Sequence, residues 1–264
     1  MQQGTCKLCK KEKPLCKSHL IPRSVHLLCR ATKAKNPNPF VLTSQYAMQS
    51  SRQMQVPLLC WDCEQLLRAN GEDWMTSQFA HLGGPFPFME TLAKSPAVFT
   101  EPDFIAYALA TIPDIRVDHL IHFFMGIFWK ASVHNWVKER TKTWLEFGTH
   151  REAMRKFLIG EAAFPPQMAL SVTVLPPPVT LISFHIPYDT IGPDPTYHLY
   201  ISGINCMLWM GPNIPAEIAM LSIHHPPHQV LVLDNEADIT KRFREAGQSA
   251  MKRMQQRSAK SRRC

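Results

Sequence analysis

The spacing of apolar residues changes character twice along the chain. Between Asp118 and Trp136, Leu120, Phe123, Phe124, Ile127, Phe128 and Ala131 recur at the three- and four-residue intervals of one helix face. His119, His122 and Lys130 interrupt that stretch too often for a lipid environment, so it reads as a core helix with a polar flank. The whole interval from Asp103 to Gly160 carries the helical pattern. It closes on Thr149-His150-Arg151-Glu152, a capping-box sequence, with Met154, Phe157, Leu158 and Ile159 as the apolar face and Gly160 as the stop. After Pro165-Pro166 the period falls to two. Strands are expected at 170–175, 180–186, 197–204, 206–210 and 229–233, separated by proline-rich turns, with Ser202-Gly203-Ile204-Asn205 as a hairpin or bulge. An antiparallel sheet packed on the preceding helices buries both apolar sets, which makes the fold α+β.

The first hundred residues follow neither period for long. A lysine-rich turn over residues 10–17 precedes a short strand at Leu20-Ile21, closed by Pro22 and Arg23. Residues 31–55 read as a loop around one strand near Phe40-Val41-Leu42. A helix starts at Trp61 and ends at Asn70-Gly71. The Gly83-Gly84-Pro85 break then leads to a soft boundary near residue 98. The organisation is therefore 1–98, 99–240 and a basic tail, 241–264.

What distinguishes the first segment is its cysteines. Cys6-Lys-Leu-Cys9 and Cys60-Trp-Asp-Cys63 each present two thiolates at knuckle spacing, and two such pairs supply the four-sulfur tetrahedron of structural zinc. The long interval between them makes the segment from Lys10 to Leu59 an insertion held by the ion. Cys16 and Cys29 sit at no knuckle spacing and read as small buried hydrophobes. The same holds against His224, His225 and His228 as a metal site, because Pro226-Pro227 separates them and a loop accounts for the cluster. Eight cysteines in a chain of this length, four at metal spacing, form no disulfide framework.

The order Cys-x-x-Cys, Ser18-His19-Leu20-Ile21-Pro22, Cys-x-x-Cys-Glu64 resembles the HNH, or treble-clef His-Me finger, endonucleases. The resemblance covers residues 6–9, 18–23 and 55–64. It implies an N-terminal zinc-bound ββα module and a phosphodiester hydrolase in which His19 is the general base toward water. By the same resemblance Gln55 falls at the middle asparagine position and Glu64 helps hold a catalytic Mg²⁺ or Mn²⁺. Ser18 and Glu64 stand where the family commonly has Asp and His or Asn. The second half is similar to that of uncharacterised bacterial proteins that open with the same signatures, which assigns it no chemistry.

Charge points the same way. The net charge of +8 divides into +7 over residues 1–64, −7 over the middle and +8 over 241–264. Basic ends suit a polyanion, since phosphate neutralisation supplies most non-specific nucleic-acid affinity. Lys17 and Arg23 are the expected phosphate contacts beside His19, and the tail a further one. DNA is the expected substrate, with phage defence or mobile-element processing as roles by analogy. A protein partner or homo-oligomer would use the C-terminal segment. The rival reading is a non-catalytic zinc module that binds nucleic acid or protein. The chain opens on no export leader and holds no run of eighteen uncharged apolar residues, so a cytoplasmic protein without membrane contact is expected.

Overall fold

The computed structural model describes residues 2–30, 37–42, 47–50, 53–136, 145–177, 182–189 and 196–233. The tail expectation for 241–264 lies outside the described residues.

The chain opens with a hairpin, β1 (Gln2–Thr5) and β2 (Glu12–His19), followed by α1 (Arg23–Leu28) and the short pair β3 (Phe40–Leu42) and β4 (Ala47–Gln49). Next, β5 (Gln55–Cys60) returns to pair antiparallel with β2 and completes a three-stranded sheet ordered β1-β2-β5. The expected turn at 10–17 is thus mostly strand. In β2, buried Leu15 and Ser18 point inward while Lys17 points out, with a bulge at Cys16/Lys17 shifting the register. The strand carrying His19 ends at that residue, and Leu20 and Ile21 are core residues beyond its end.

From β5 the chain passes directly into α2 (Trp61–Leu67). Asn70-Gly71 does not end the helix. Instead the backbone widens into one π-helical turn, Arg68–Glu72, and continues as α3 (Asp73–Thr76). The reason is packing: a Cβ on Gly71 would come within 2.9 Å of the Phe123 nitrogen and 3.0 Å of the His119 oxygen, so only glycine allows this approach. Then come α4 (Pro87–Ala93), β6 (Phe99–Thr100) and β7 (Phe104–Ala108). The helical expectation from Asp103 fails at β7, an apolar run whose periodicity alone does not separate strand from helix. It pairs with a strand more than a hundred residues further on, which a local pattern does not reveal.

The central helix α5 (Val117–Val133) matches expectation and is buried on almost every side, including Phe124, Phe128 and Trp129. Each such side chain contributes about 1.5–3 kcal/mol by leaving water. Lys130 is not on a polar flank. It is 2% exposed and lies against Glu72 at 3.1 Å. The amphipathic helix α6 (His150–Leu158) also forms and ends at Gly160, whose φ of 73° closes it, but Thr149 makes no side-chain cap. Glu152 turns instead to Arg155.

The remaining strands are β8 (Met168–Val174), β9 (Phe184–His185), β10 (Tyr188–Asp189), β11 (Thr196–Ile201), β12 (Ile204–Met210) and β13 (Gln229–Leu233), with α7 (Ala216–Met220) before β13. The β11–β12 connection is a hairpin through Ser202 and Gly203, both at positive φ, as a two-residue turn of this hand requires. These strands join β3, β4, β6 and β7 in a ten-stranded sheet ordered β4-β3-β9-β11-β12-β8-β13-β7-β6, with β10 on β11. It is mixed rather than antiparallel, because β13 runs parallel to β8 and β3 parallel to β9. The fold is α+β. One continuous hydrophobic core extends from Cys6 and Leu8 through α5 to Val232. Among the described residues no helix is long and apolar enough to cross a membrane.

Candidate metal centre and the His19 strand end

Both cysteine pairs converge where the small sheet meets α2. Cys6 and Cys9 lie in the β1–β2 turn, which the Cys6 amide closes by donating to the Lys11 carbonyl at 2.9 Å; Lys10, at φ 62°, takes the left-handed position. The Lys7 amide donates to the Leu58 carbonyl at 3.1 Å and ties this turn to the end of β5. Cys60 is the residue before α2 and Cys63 lies in its first turn. The four ligand atoms lie within 4.8 Å of one another. The Cys9–Cys60 sulfur separation is 3.8 Å, about the edge of a tetrahedron with zinc–sulfur bonds near 2.3 Å.

Backbone amides prepare the cluster for anionic sulfur. The Cys60 amide donates to Cys6 Sγ at 3.3 Å. A hydrogen bond from Cys63 above all, then the amides of Cys60, Cys9 and Leu8, holds the Cys6 thiol down at about 4. Cys63 moves in the opposite direction, chiefly because it gives its proton to that bond. Behind the cluster, the buried Arg155 of α6 donates from Nη1 to the carbonyl of Leu8 at 2.8 Å, and Nη2 pairs with Glu152 and Glu161 at 2.8 and 3.1 Å. Arg155 escaped the sequence reading because a 147-residue separation leaves no local signal.

The other end of β2 carries His19, which faces Gln55 across the β2–β5 ladder. Its Nε2–H donates to the side-chain oxygen of Gln53 at 2.8 Å, which leaves the lone pair of the neutral ring on Nδ1. Gln53 was not singled out in the sequence, where nothing in its spacing marks it. Gln55 is exposed beside it. Ser18 is fully buried: its hydroxyl accepts the Leu59 amide at 3.0 Å and donates to Glu64. Burial pushes the Glu64 carboxyl up, while Lys130, the Ser18 hydroxyl and His19 draw it down and Glu72 opposes them. Its Oε1 is buried without a hydrogen-bond partner. His26 of α1 lies near enough to feel His19 and is held down at about 4, mainly by burial, with its ring edge-on to Phe184.

Lys17 and Arg23 are both exposed, Lys17 on the outer side of β2 and Arg23 at the start of α1. Cys29 is buried with its sulfur 3.4 Å from the Ser202 hydroxyl, and Cys16 is partly buried. Among the described residues, the four cysteines are the one group of three or more His, Cys, Asp or Glu side chains gathered closely enough for a single ion. His224 instead stacks on Phe164 and bonds to Ser222, and His228 bonds to the Ile223 carbonyl.

The chain matches no protein-family profile, no curated protein and no solved structure.

Proposed function

We propose that the protein is a zinc-stabilised, HNH-like endonuclease acting on nucleic acid, with DNA as the preferred substrate. The observation that carries the reading is the placement of His19 at the end of the strand whose other end meets the cysteine cluster, with Glu64 on the helix that the second cysteine pair begins. Zinc bound by Cys6, Cys9, Cys60 and Cys63 would fix the angle between β2 and α2, the arrangement a treble clef requires. The sulfur separation and the amide hydrogen bonds to Cys6 fit that ion.

In this reading His19 removes a proton from the attacking water through Nδ1, while Gln53 holds the ring by its other nitrogen. Gln55 faces substrate beside it, and Lys17 and Arg23 contact phosphates. Glu64, with its buried unpartnered oxygen, would hold Mg²⁺ or Mn²⁺ together with substrate oxygens and water, since Mg²⁺ is commonly bound by one or two carboxylates. Such an ion would offset charge on the scissile phosphate.

Ser18 favours a second reading. The position that would help bind the catalytic ion is fully buried, and its hydroxyl is committed to Leu59 and Glu64. A non-catalytic zinc module that binds nucleic acid or protein accommodates that burial. Plasmid and oligonucleotide cleavage with Mg²⁺ or Mn²⁺ separates the two. His19→Ala is expected to reduce cleavage by about 10²- to 10⁴-fold, the range of a lost general base, with zinc content and melting temperature retained. Equal cleavage by wild type and variant removes His19 from the mechanism. No cleavage by wild type under any divalent ion leaves the binding module.

A further inference from the structure

Among the described residues, Trp61 is the one tryptophan that is more exposed than buried, at 64% of its surface. It occupies the first position of α2, between the cluster residue Cys60 and Asp62. The hairpin turn beside it brings lysines to the same surface. Lys13 pairs with Asp62 at 2.6 Å, Lys11 is close enough to act on the same carboxylate, and the Lys7 backbone bonds to Leu58, two residues before Cys60. Lys7, Lys10 and Lys11 are exposed. With Asp62 neutralised by Lys13, Glu12, which accepts the Thr5 hydroxyl, is the remaining carboxylate of the hairpin. On this face the exposed lysines Lys7, Lys10 and Lys11 outnumber Glu12 beside an exposed aromatic ring.

We propose that this face binds an unpaired nucleotide of a single-stranded nucleic acid segment, with a base stacked on Trp61 and the adjacent phosphates against Lys7, Lys10 and Lys11. A tryptophan ring offers a large stacking face, and the exposed lysines around it favour a polyanion over an apolar peptide. Duplex bases have both faces covered by their neighbours, so the ring selects an unpaired base. Base–aromatic stacking in a basic groove is the general means of holding single strands without sequence readout. The site is also well placed. Leu15, opposite Cys60 in the ladder, is four residues from His19, about 13 Å along the strand. That span is about the length of two to three nucleotides of an extended single strand.

This inference rests on the nucleic-acid reading above and is separable from it. Binding of labelled oligo-dU, oligo-U and a duplex of matched length would be followed by fluorescence anisotropy, in a His19→Ala background that prevents cutting. Trp61→Ala is expected to weaken single-strand binding roughly tenfold, the order of one lost stack, while duplex affinity changes by less than about twofold and zinc content is unchanged. Trp61→Phe, which keeps a stacking face, should retain most of the affinity. Lys10→Ala and Lys11→Ala should each lower the salt dependence of single-strand binding by about 0.7. Single-strand binding that is identical in parent protein and Trp61→Ala overturns the proposal, with the nucleic-acid reading intact. If the parent protein binds neither single strand nor duplex, both fail. The ratio of oligo-dU to oligo-U affinity, which changes only the 2′-hydroxyl, identifies the sugar.

Discussion

The two ends of β2 are built on different principles. At the cysteine end, four like side chains converge on one point, backbone amides serve the sulfurs, and a buried arginine on α6 braces the loop from behind. At the His19 end the polar groups differ in kind and have competing obligations. Ser18 serves Leu59 and Glu64, His19 holds Gln53, Glu72 is taken by Lys130, and one Glu64 oxygen has no hydrogen-bond partner. The first end is complete as a ligand set. The second holds a mixed set of polar groups, one of them a buried carboxylate oxygen without a hydrogen-bond partner, so the two ends of one strand differ in how fully their polar groups are satisfied.

The strongest way to break that contrast is to destroy the cysteine end. Cys60→Ser should abolish zinc binding and with it the cooperative unfolding of the N-terminal region, because structural zinc contributes on the order of 10 kcal/mol directly to folding. Metal analysis and calorimetry on the purified variant would decide, and a zinc-replete variant with unchanged melting would refute the four-cysteine centre. The matched change at the other end, His19→Ala, should move stability by less than about 1 kcal/mol, as expected for a partly exposed side chain away from the core.

An intermediate effect is expected beneath the His19 end. Lys130→Ala leaves Glu72 and Glu64 facing each other without their shared cation, and breaking a buried pair in this way costs about 3–5 kcal/mol. Denaturant titration would measure it. Lys130→Met combined with Glu72→Gln should recover much of the loss, and failure to recover would show that the pair does more than compensate its own burial.

A further effect is one of pH. His26 has a folded value of about 4 against an ordinary 6.5, so the unfolded chain binds its proton first as the solution is acidified. Its contribution to stability is therefore full above pH 6.5 and is lost as pH falls toward 4, with a slope approaching 1.4 kcal/mol per pH unit for this one group. His26→Phe should flatten the stability profile in that window, and an unaltered slope would show that other groups carry it.

How much of this was legible in the chain follows from the range of each signal. The cysteine pairs were legible because a knuckle is a local device whose spacing imposes its geometry. So were α5 and α6, whose periods repeat over several turns, and the β11–β12 hairpin, which Ser202-Gly203 announces. The errors are those of range. Strand β7 reads as helix because its partner β13 is remote, and the parallel β3–β9 contact draws the apparent loop insertion into the large sheet. Lys130 reads as part of a polar flank because nothing near it in sequence announces Glu72, and Asn70-Gly71 reads as a stop because the need for close approach to α5 is set by α5. At the candidate site, Ser18 and His19 lie close enough to act on Glu64, while Gln53 and Arg155 enter through contacts that sequence spacing does not record.

The Arg155 brace also has a consequence for the order in which the molecule is made. Leu8 precedes its guanidinium partner by 147 residues, whereas the last cysteine of the cluster follows the first by fewer than sixty. A growing chain therefore gathers all four thiols long before the arm that supports their loop has been synthesised. During that interval the Leu8 carbonyl lacks the guanidinium that meets it in the finished protein. An ion captured early would hold the turn in shape meanwhile, so that the later helix docks onto a preformed carbonyl instead of having to organise one.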